Sequence, residues 1–367
     1  MLKALTEIAP HLPSSLFGTQ ALERMSRVAA RLPPGLSNFW GFECRLAEDA
    51  AEADILFQTR RGAPGVSLLA GESPSALETL YTEPAWGNLR DFATRWQQPD
   101  LALHRLVRNI WLEFDIAGVS DTATLEHAIR QPNLFIGPDA TSPKRDLIEL
   151  LEGLCHCHGR FLAALETLPA FLDALPEGAR AFQLGLMLTR PADHGLRVCV
   201  NEVPTDEIGP WLQRLFDSPT ARALVQVVEA MQGRTEALSF GFNLTPAGLE
   251  PGLGLECYQS WKREDRPQWA PLLDELVARG LCLPHKRDGL LAYPGKLPVP
   301  KDECLINGRL FLETHRRIHH VKLTLTFRGV MQAKAYLAVS RPGLIMGETL
   351  GGDTAGAHPP RDAWTLE

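Results

Sequence analysis

The stretch that decides the fold is His319-His320-Val321-Lys322-Leu323-Thr324-Leu325-Thr326-Phe327, then Arg328-Gly329, then Gln332-Ala333-Lys334-Ala335-Tyr336-Leu337-Ala338-Val339. Val321, Leu323, Leu325 and Phe327 alternate with His320, Lys322, Thr324 and Thr326, the period of two expected of a strand with one buried face. On the return, Ala333, Ala335, Leu337 and Val339 alternate with Gln332, Lys334 and Tyr336. The two runs predict an antiparallel hairpin. Its apolar face packs under helices, and its polar face meets water or a cavity.

The same pattern recurs upstream. Phe39–Leu46 with Asp54–Arg60, Asn109–Ile116 with Asn133–Ile136, Phe182–Thr189 with Leu196–Glu202, and Leu238–Leu244 with Gly252–Gln259 each read as a strand pair. Between the pairs, apolar residues fall at three- and four-residue spacing, as in Leu89, Phe92, Ala93 and Trp96, and predict helices over 76–107, 143–176, 205–232 and 266–290. Residues 1–32 carry Leu22, Met25, Val28 and Ala29 on one stripe, ended by Pro33-Pro34-Gly35. This internal period outweighs any single motif. Hairpins that alternate with helices call for an antiparallel sheet, not a parallel one. Ten such strands with helices on one side can close into a barrel and so remove their edges. The expected organisation is a helical segment over 1–37, a barrel domain over 38–340 and a tail over 341–367.

Composition narrows the function classes. With 367 residues, 45% of them hydrophobic and 22% charged, the chain has ample material for a core. A net charge of −7 argues against sequence-independent nucleic-acid binding, which needs a basic face. No apolar run approaches the ~20 residues of a membrane span. The first residues lack the apolar core and cleavage site of a signal peptide. Seven scattered cysteines, an odd number, predict reduced thiols and a cytoplasmic location. Cys155-His156-Cys157-His158 has metal-ligand types, but on a helix i and i+2 face apart, and no second cluster completes a tetrahedron. Gly252-Leu253-Gly254 lacks the strand-turn-helix context of a dinucleotide site, and no Gly-x-Ser-x-Gly nucleophile motif occurs.

The fivefold order of helices and hairpins, with Lys/Arg-x-Tyr fragments such as Lys334-Ala335-Tyr336, resembles the ABBA, or PT-barrel, aromatic prenyltransferases over roughly residues 38–340. That family includes the dimethylallyltryptophan synthases and the cyanobactin peptide prenyltransferases. The resemblance implies an α/β PT-barrel: five ααββ units, ten antiparallel strands, helices outside and a polar lumen. It also implies transfer of a prenyl group from an isoprenyl diphosphate to an aromatic or other electron-rich acceptor. Trp111-Leu112-Glu113-Phe114-Asp115 and Ala333–Leu337 are similar to segments of bacterial proteins from modified-peptide gene clusters, which implies a peptide side chain as one candidate acceptor.

The polar register assigns lumen residues strand by strand. They are Glu43 and Arg45; Gln58 and Arg60; Trp111, Glu113 and Asp115; Phe135; Gln183 and Met187; Arg197, Cys199 and Asn201; Ser239 and Asn243; Glu256 and Tyr258; His320, Lys322 and Thr324; Lys334 and Tyr336. Arg60, Arg197, Lys322 and Lys334 would converge from separate strands on a diphosphate, whose charge must be neutralised as it leaves. Tyr258 and Tyr336, with Trp111 and Phe135, would face an allylic cation with their π-electrons. Glu43 or Glu113 would take the proton of the acceptor. Asp115, Asn201, Asn243 and Glu256 complete the candidate substrate wall. Glu113 and Asp115 could also hold Mg²⁺ or a cationic substrate group. His319-His320 beside Arg316-Arg317 reads as a charged strand entry. Where the family carries Lys and Tyr, strand four has Phe135 and strand six has Cys199 and Asn201. Two other readings therefore stay open: a PT-barrel enzyme of peptide maturation with different chemistry, and a non-catalytic protein that uses the barrel as a receptacle.

Overall fold

The computed structural model describes residues 1–72, 76–139, 142–157, 161–189, 195–259, 269–300, 305–306, 309–326 and 328–345. Phe327, the turn expected at 191–194, the tail beyond 345 and the side chains of the Cys155–His158 cluster lie outside the described residues. Ten strands form the barrel: β1 Phe39–Arg45, β2 Ala53–Arg60, β3 Val107–Phe114, β4 Asn133–Pro138, β5 Arg180–Leu186, β6 Leu196–Asn201, β7 Ala237–Thr245, β8 Gly252–Tyr258, β9 Glu313–Thr326 and β10 Gly329–Ser340. Neighbours are antiparallel throughout. The circuit closes because β9 pairs with both β8 and β10, and β10 pairs with β1.

Helices precede each hairpin. Leu2–Ile8 and Thr19–Arg31 come before β1, and Pro64–Leu69, Pro84–Trp96 and Ala102–Leu106 before β3. Lys144–Cys157, Leu162–Leu165 and Leu168–Asp173 come before β5, Ile208–Leu215 and Ser218–Gln232 before β7, and Trp269–Ala278 and Pro284–Ala292 before β9. These are the five helix-plus-hairpin units that the repeat predicts. One helix departs from it: Thr122–Arg130 sits inside the second hairpin, between β3 and β4. Asp121 caps it, accepting from Thr124 N at 2.8 Å, and Leu125, Ala128 and Ile129 form its buried stripe. Its nine residues are too few to show a clear helical period in the sequence.

The hydrophobic core is a cylinder between strands and helices. Outward residues of every strand enter it: Phe42, Phe57, Phe114, Phe240, Phe242, Leu323 and Leu337 are at most 2% exposed. The helices return large aromatics to the same layer. Trp211 meets Phe240 and Phe242 at centroid distances of 5.5 and 5.2 Å, and Phe17 of the N-terminal segment meets Phe42 at 4.8 Å. The indole N–H groups of Trp86 and Trp96 donate to Ile129 O and Val107 O at 2.9 Å, so burying those rings strands no donor. Lys286 is also buried here. Its ammonium donates to Arg45 O at 2.7 Å and Ala50 O at 2.8 Å, which pins the β1–β2 connection to the last helix pair.

β9 and β10 run 14 and 12 residues, longer than the alternating stretch suggests, because they continue beyond the barrel rim. The strand Gly295–Pro298 covers the free edge of that extension. Gly343–Ile345 pairs with Arg309–Phe311 in a small separate sheet, so the beginning of the expected tail is ordered as strand. Among the described residues no helix is long and apolar enough to cross a membrane. Cys44, Cys199, Cys257 and Cys282 are buried free thiols.

Candidate active site

Strand pairing sets which side chains share the lumen. One rung runs around half the barrel through Gln58, Trp111, Phe135, Gly185, Arg197 and Asn243. Across the closing strands, Glu43 lies opposite Tyr336, Arg45 opposite Lys334, Lys334 opposite Lys322, and Lys322 opposite Glu256. Glycines make room on this face. A side chain at Gly254 would place its Cβ 2.6 Å from Lys322 Cε and 3.6 Å from Arg197 Nη1, so the bare backbone lets both cations lie across it.

The lumen holds two connected chambers. A basic chamber of about 490 Å³ is lined by Glu43, Arg197, Asn243, Glu250, Lys322, Thr324 and Lys334, among others. An aromatic chamber of about 130 Å³ is lined by Phe39, Trp111, Phe135, Phe182, Tyr258, His319 and His320, with Gln58, Arg60, Arg108 and Asn109. Glu113, Phe135, Lys322 and Tyr336 line both and form the waist between them. The even strands run from the basic to the aromatic end: Arg197 precedes Cys199, Gly254 precedes Tyr258, and Lys334 precedes Ala338.

Two ion pairs organise the waist. Lys334 Nζ lies 2.5 Å from Glu43 Oε1, and the Tyr336 hydroxyl donates to the other oxygen of Glu43. Lys322 Nζ lies 3.3 Å from Glu256 Oε1, while Ser239 and Tyr258 hydroxyls donate to Glu256 Oε2 at 2.8 Å. Burial alone would raise the Glu43 carboxyl. The Lys334 charge and the hydrogen bonds from Lys334 and Tyr336 outweigh that and hold it at about 2. Glu256 is likewise held below the usual carboxylate range: burial opposes ionisation, and Lys322, His320, Tyr258 and Ser239 overcome it. Burial, then the nearby carboxylate, raises both Tyr258 and Tyr336. Lys322 also sits 5.9 Å from the Tyr336 ring centroid.

Nearby, Asp54 accepts from Ile116 N at 2.6 Å and Ala117 N at 2.7 Å. Burial, with Glu43 and Asp115 close by, pushes its carboxyl up to about 7. Asp115 itself lies past the end of β3, where Asn133 and Thr189 donate to it at 3.0 and 2.8 Å. It shares neither chamber with Glu113. Among the described residues no three His, Cys, Asp or Glu side chains gather where they could hold a metal ion.

The predicted residues are therefore sorted, not simply gathered. Arg197, Lys322 and Lys334 share the basic chamber with Glu43 and Asn243. Trp111, Phe135, Glu113, Tyr258, Tyr336 and Glu256 line the aromatic chamber or the waist. Asn201 faces a separate pocket at the rim, beside Glu202 and Thr205. Arg60 does not join the other three cations; it lies in the aromatic chamber, where its Nε donates to Gln58 Oε1 at 2.9 Å.

Three lumen residues escape the period-two reading, and all for one reason. The pairing register shifts at Val107/Asn109, Ala181/Gln183 and Ile318/His320. Each bulge adds one residue to its strand and re-aims a side chain. The three extra residues, Arg108, Phe182 and His319, all line the aromatic chamber. His319, half-buried, and His320, buried, thus become a pair facing the chamber, Nδ1 to Nδ1 at 2.7 Å, and not a charged strand entry. Burial pushes their imidazoles down to about 4 and about 3, against the pull of Glu256. His320 stacks on Tyr336 at 4.2 Å and tilts against Tyr258 at 5.1 Å.

No protein-family model matches the chain, and no curated protein matches it. Solved structures do. The chain is similar to AnaPT from Neosartorya fischeri, with 13% identity, 92% of each chain covered and a TM-score of 0.43. It is also similar to the apo form of the prenyltransferase PriB, with 15% identity, 93% of this chain and 96% of that one covered, and a TM-score of 0.48. The strand order of the protein itself establishes the architecture: ten antiparallel strands closed on one another, helices outside and a polar lumen, an α/β PT-barrel.

Proposed function

We propose that the protein transfers a prenyl group from an isoprenyl diphosphate to an aromatic or other electron-rich acceptor. The observation that carries this reading is the joining of a three-cation chamber to an aromatic chamber through a waist of Tyr336, Phe135, Glu113 and Lys322. Diphosphate would sit on Arg197, Lys322 and Lys334. An ammonium has three donors, so each lysine can keep its carboxylate and still bond a phosphate oxygen. Among the described residues Arg197 has no ion-pair partner, which leaves its whole fork for the anion. The allylic C–O bond would break with its electron pair leaving on diphosphate. The cation would form at the waist beside the Tyr336 and Phe135 rings, and the acceptor's π-electrons would form the new bond from the aromatic chamber. Glu113 lines both chambers, and it would take the released proton. Glu43 is already hydrogen-bonded twice and held at about 2, so its role is to position Lys334 and Tyr336.

A second reading has one observation in its favour. Lys322 and Lys334 are each neutralised by a buried carboxylate, which suits a receptacle for an uncharged ligand. Calorimetry with dimethylallyl thiolodiphosphate separates the two. The transferase reading expects saturable binding, weakened ten- to a hundredfold by Arg197→Gln, since one charge-assisted hydrogen bond contributes roughly 1.5–3 kcal/mol. No binding to the wild-type protein would leave the receptacle.

A further inference from the structure

Outside the barrel, one part of the layer between strands and helices is left unfilled. A cavity of about 260 Å³ lies behind β3 and β4, walled by the helices Pro84–Trp96, Ala102–Leu106 and Lys144–Cys157. Its floor is Leu112 and Leu134, which lie opposite each other on the two strands. The alternation turns their neighbours Trp111 and Phe135 into the lumen, so the sheet separates this cavity from both chambers. Leu89, Phe92, Leu150 and Leu188 complete an apolar wall, each at most 7% exposed. Beside it the same layer is packed full. Trp86 and Trp96, on the first of these helices, are 0% exposed and have their indole N–H groups bonded. Close packing leaves few voids larger than a water, and an empty one costs stability. An apolar cavity of roughly 150 Å³ stays dry and takes up a benzene-sized guest. The space behind β3 and β4 is larger.

The mouth of the cavity carries charge. Asp91, Arg95, Ala102 and Glu149 line it and are exposed. Asp91 and Arg95 stand one turn apart on Pro84–Trp96, where their charges offset each other. Glu149 comes from Lys144–Cys157; Arg145, at 3.9 Å from it, is 84% exposed and does not line the cavity. The lining therefore holds two carboxylates to one guanidinium. Exposed charges are screened, so they bias the head group of a ligand, while the apolar body supplies most of the affinity.

We propose that this cavity is a binding site for a small amphiphilic amine. Its apolar body would lie among Leu89, Phe92, Leu112, Leu134 and Leu150, and its ammonium would stay at the mouth beside Glu149 and Asp91. The site is separate from the lumen and does not rest on the function proposed above.

Calorimetry on the intact protein tests this with octylamine, butylamine, octanol and octanoate. Octylamine is expected to bind about tenfold tighter than butylamine, because its longer chain buries more apolar surface. It should bind about threefold tighter than octanoate, with octanol between the two. Ala102→Trp sets an indole across the mouth at an exposed position, and should weaken octylamine about tenfold with an unchanged melting temperature. Glu149→Gln changes only an exposed side chain and stands as the test should the tryptophan variant fail to fold. It should bring octylamine to the affinity of octanol and leave octanol unchanged. No binding of octylamine, equal binding of octylamine and butylamine, or octanoate binding as tightly as octylamine would overturn the site. So would wild-type affinity for octylamine in folded Ala102→Trp or in Glu149→Gln.

Discussion

Lys334→Met isolates the most constrained interaction of the lumen. The substitution keeps the length of the stem and removes the charge 2.5 Å from Glu43 Oε1. Glu43 is 2% exposed, so the carboxylate left behind would keep, among the described residues, only the Tyr336 hydroxyl as its hydrogen-bond donor. Breaking a buried pair by removing one partner costs about 3–5 kcal/mol, because the survivor stays desolvated and uncompensated. The same deletion should free the Glu43 pKa, now held at about 2, to rise toward and past the ordinary carboxylate value, since burial is the largest influence on it and acts upward. The variant should therefore regain stability as pH falls and Glu43 takes a proton. Lys334→Met/Glu43→Gln, which removes both charges and keeps a hydrogen-bonding amide, should return to within about 1 kcal/mol of wild type. Urea denaturation at pH 7 and pH 5 on the three proteins measures all of this. A single variant within about 0.5 kcal/mol of wild type at pH 7 would show that the pair is solvated and the reasoning wrong.

Three other outcomes are expected. Asp54 has its pKa raised to about 7, so its neutral form is favoured in the folded protein; the stability it contributes below pH 4 is lost as pH rises toward 7, by up to roughly 4 kcal/mol, and Asp54→Asn should flatten that slope in pH-dependent denaturation. Gly254→Ala would set a Cβ 2.6 Å from Lys322 Cε; displacement of the lysine should weaken pyrophosphate binding several-fold in calorimetry, with little change in melting temperature. Lys286→Met strands the carbonyls of Arg45 and Ala50 and should destabilise the fold by about 2–4 kcal/mol in the same denaturation assay, without altering pyrophosphate affinity.

Much of the barrel was legible because a strand with one buried face repeats every two residues. Leu323 and Leu337 fall outward and Lys322 and Tyr336 inward, as the alternation requires. What alternation cannot show is where it breaks. A bulge at Arg108, Phe182 or His319 adds one residue to a strand, and nothing in the local sequence distinguishes that residue from an outward one. These three positions are the ones that shape the aromatic chamber. Charge pairing was hidden for a different reason. Glu43 and Lys334 are 291 residues apart and meet only because β10 closes on β1, so the neutralising partner of each lysine depends on closure and not on spacing. The separation of Arg60 from the other cations has the same origin: it ends its strand at the aromatic end, whereas Lys334 lies toward the basic end of β10. The helix Thr122–Arg130 was missed because one short stripe inside a hairpin carries too little period to be read.

The most direct measurement of the central claim is a crystal structure of the protein soaked with dimethylallyl thiolodiphosphate. The account predicts the diphosphate in the basic chamber, bonded to Arg197, Lys322 and Lys334, with the dimethylallyl group at the waist beside Tyr336 and Phe135. Diphosphate bound at Arg60 and Arg108, or a lumen that binds none at a saturating concentration, would contradict it.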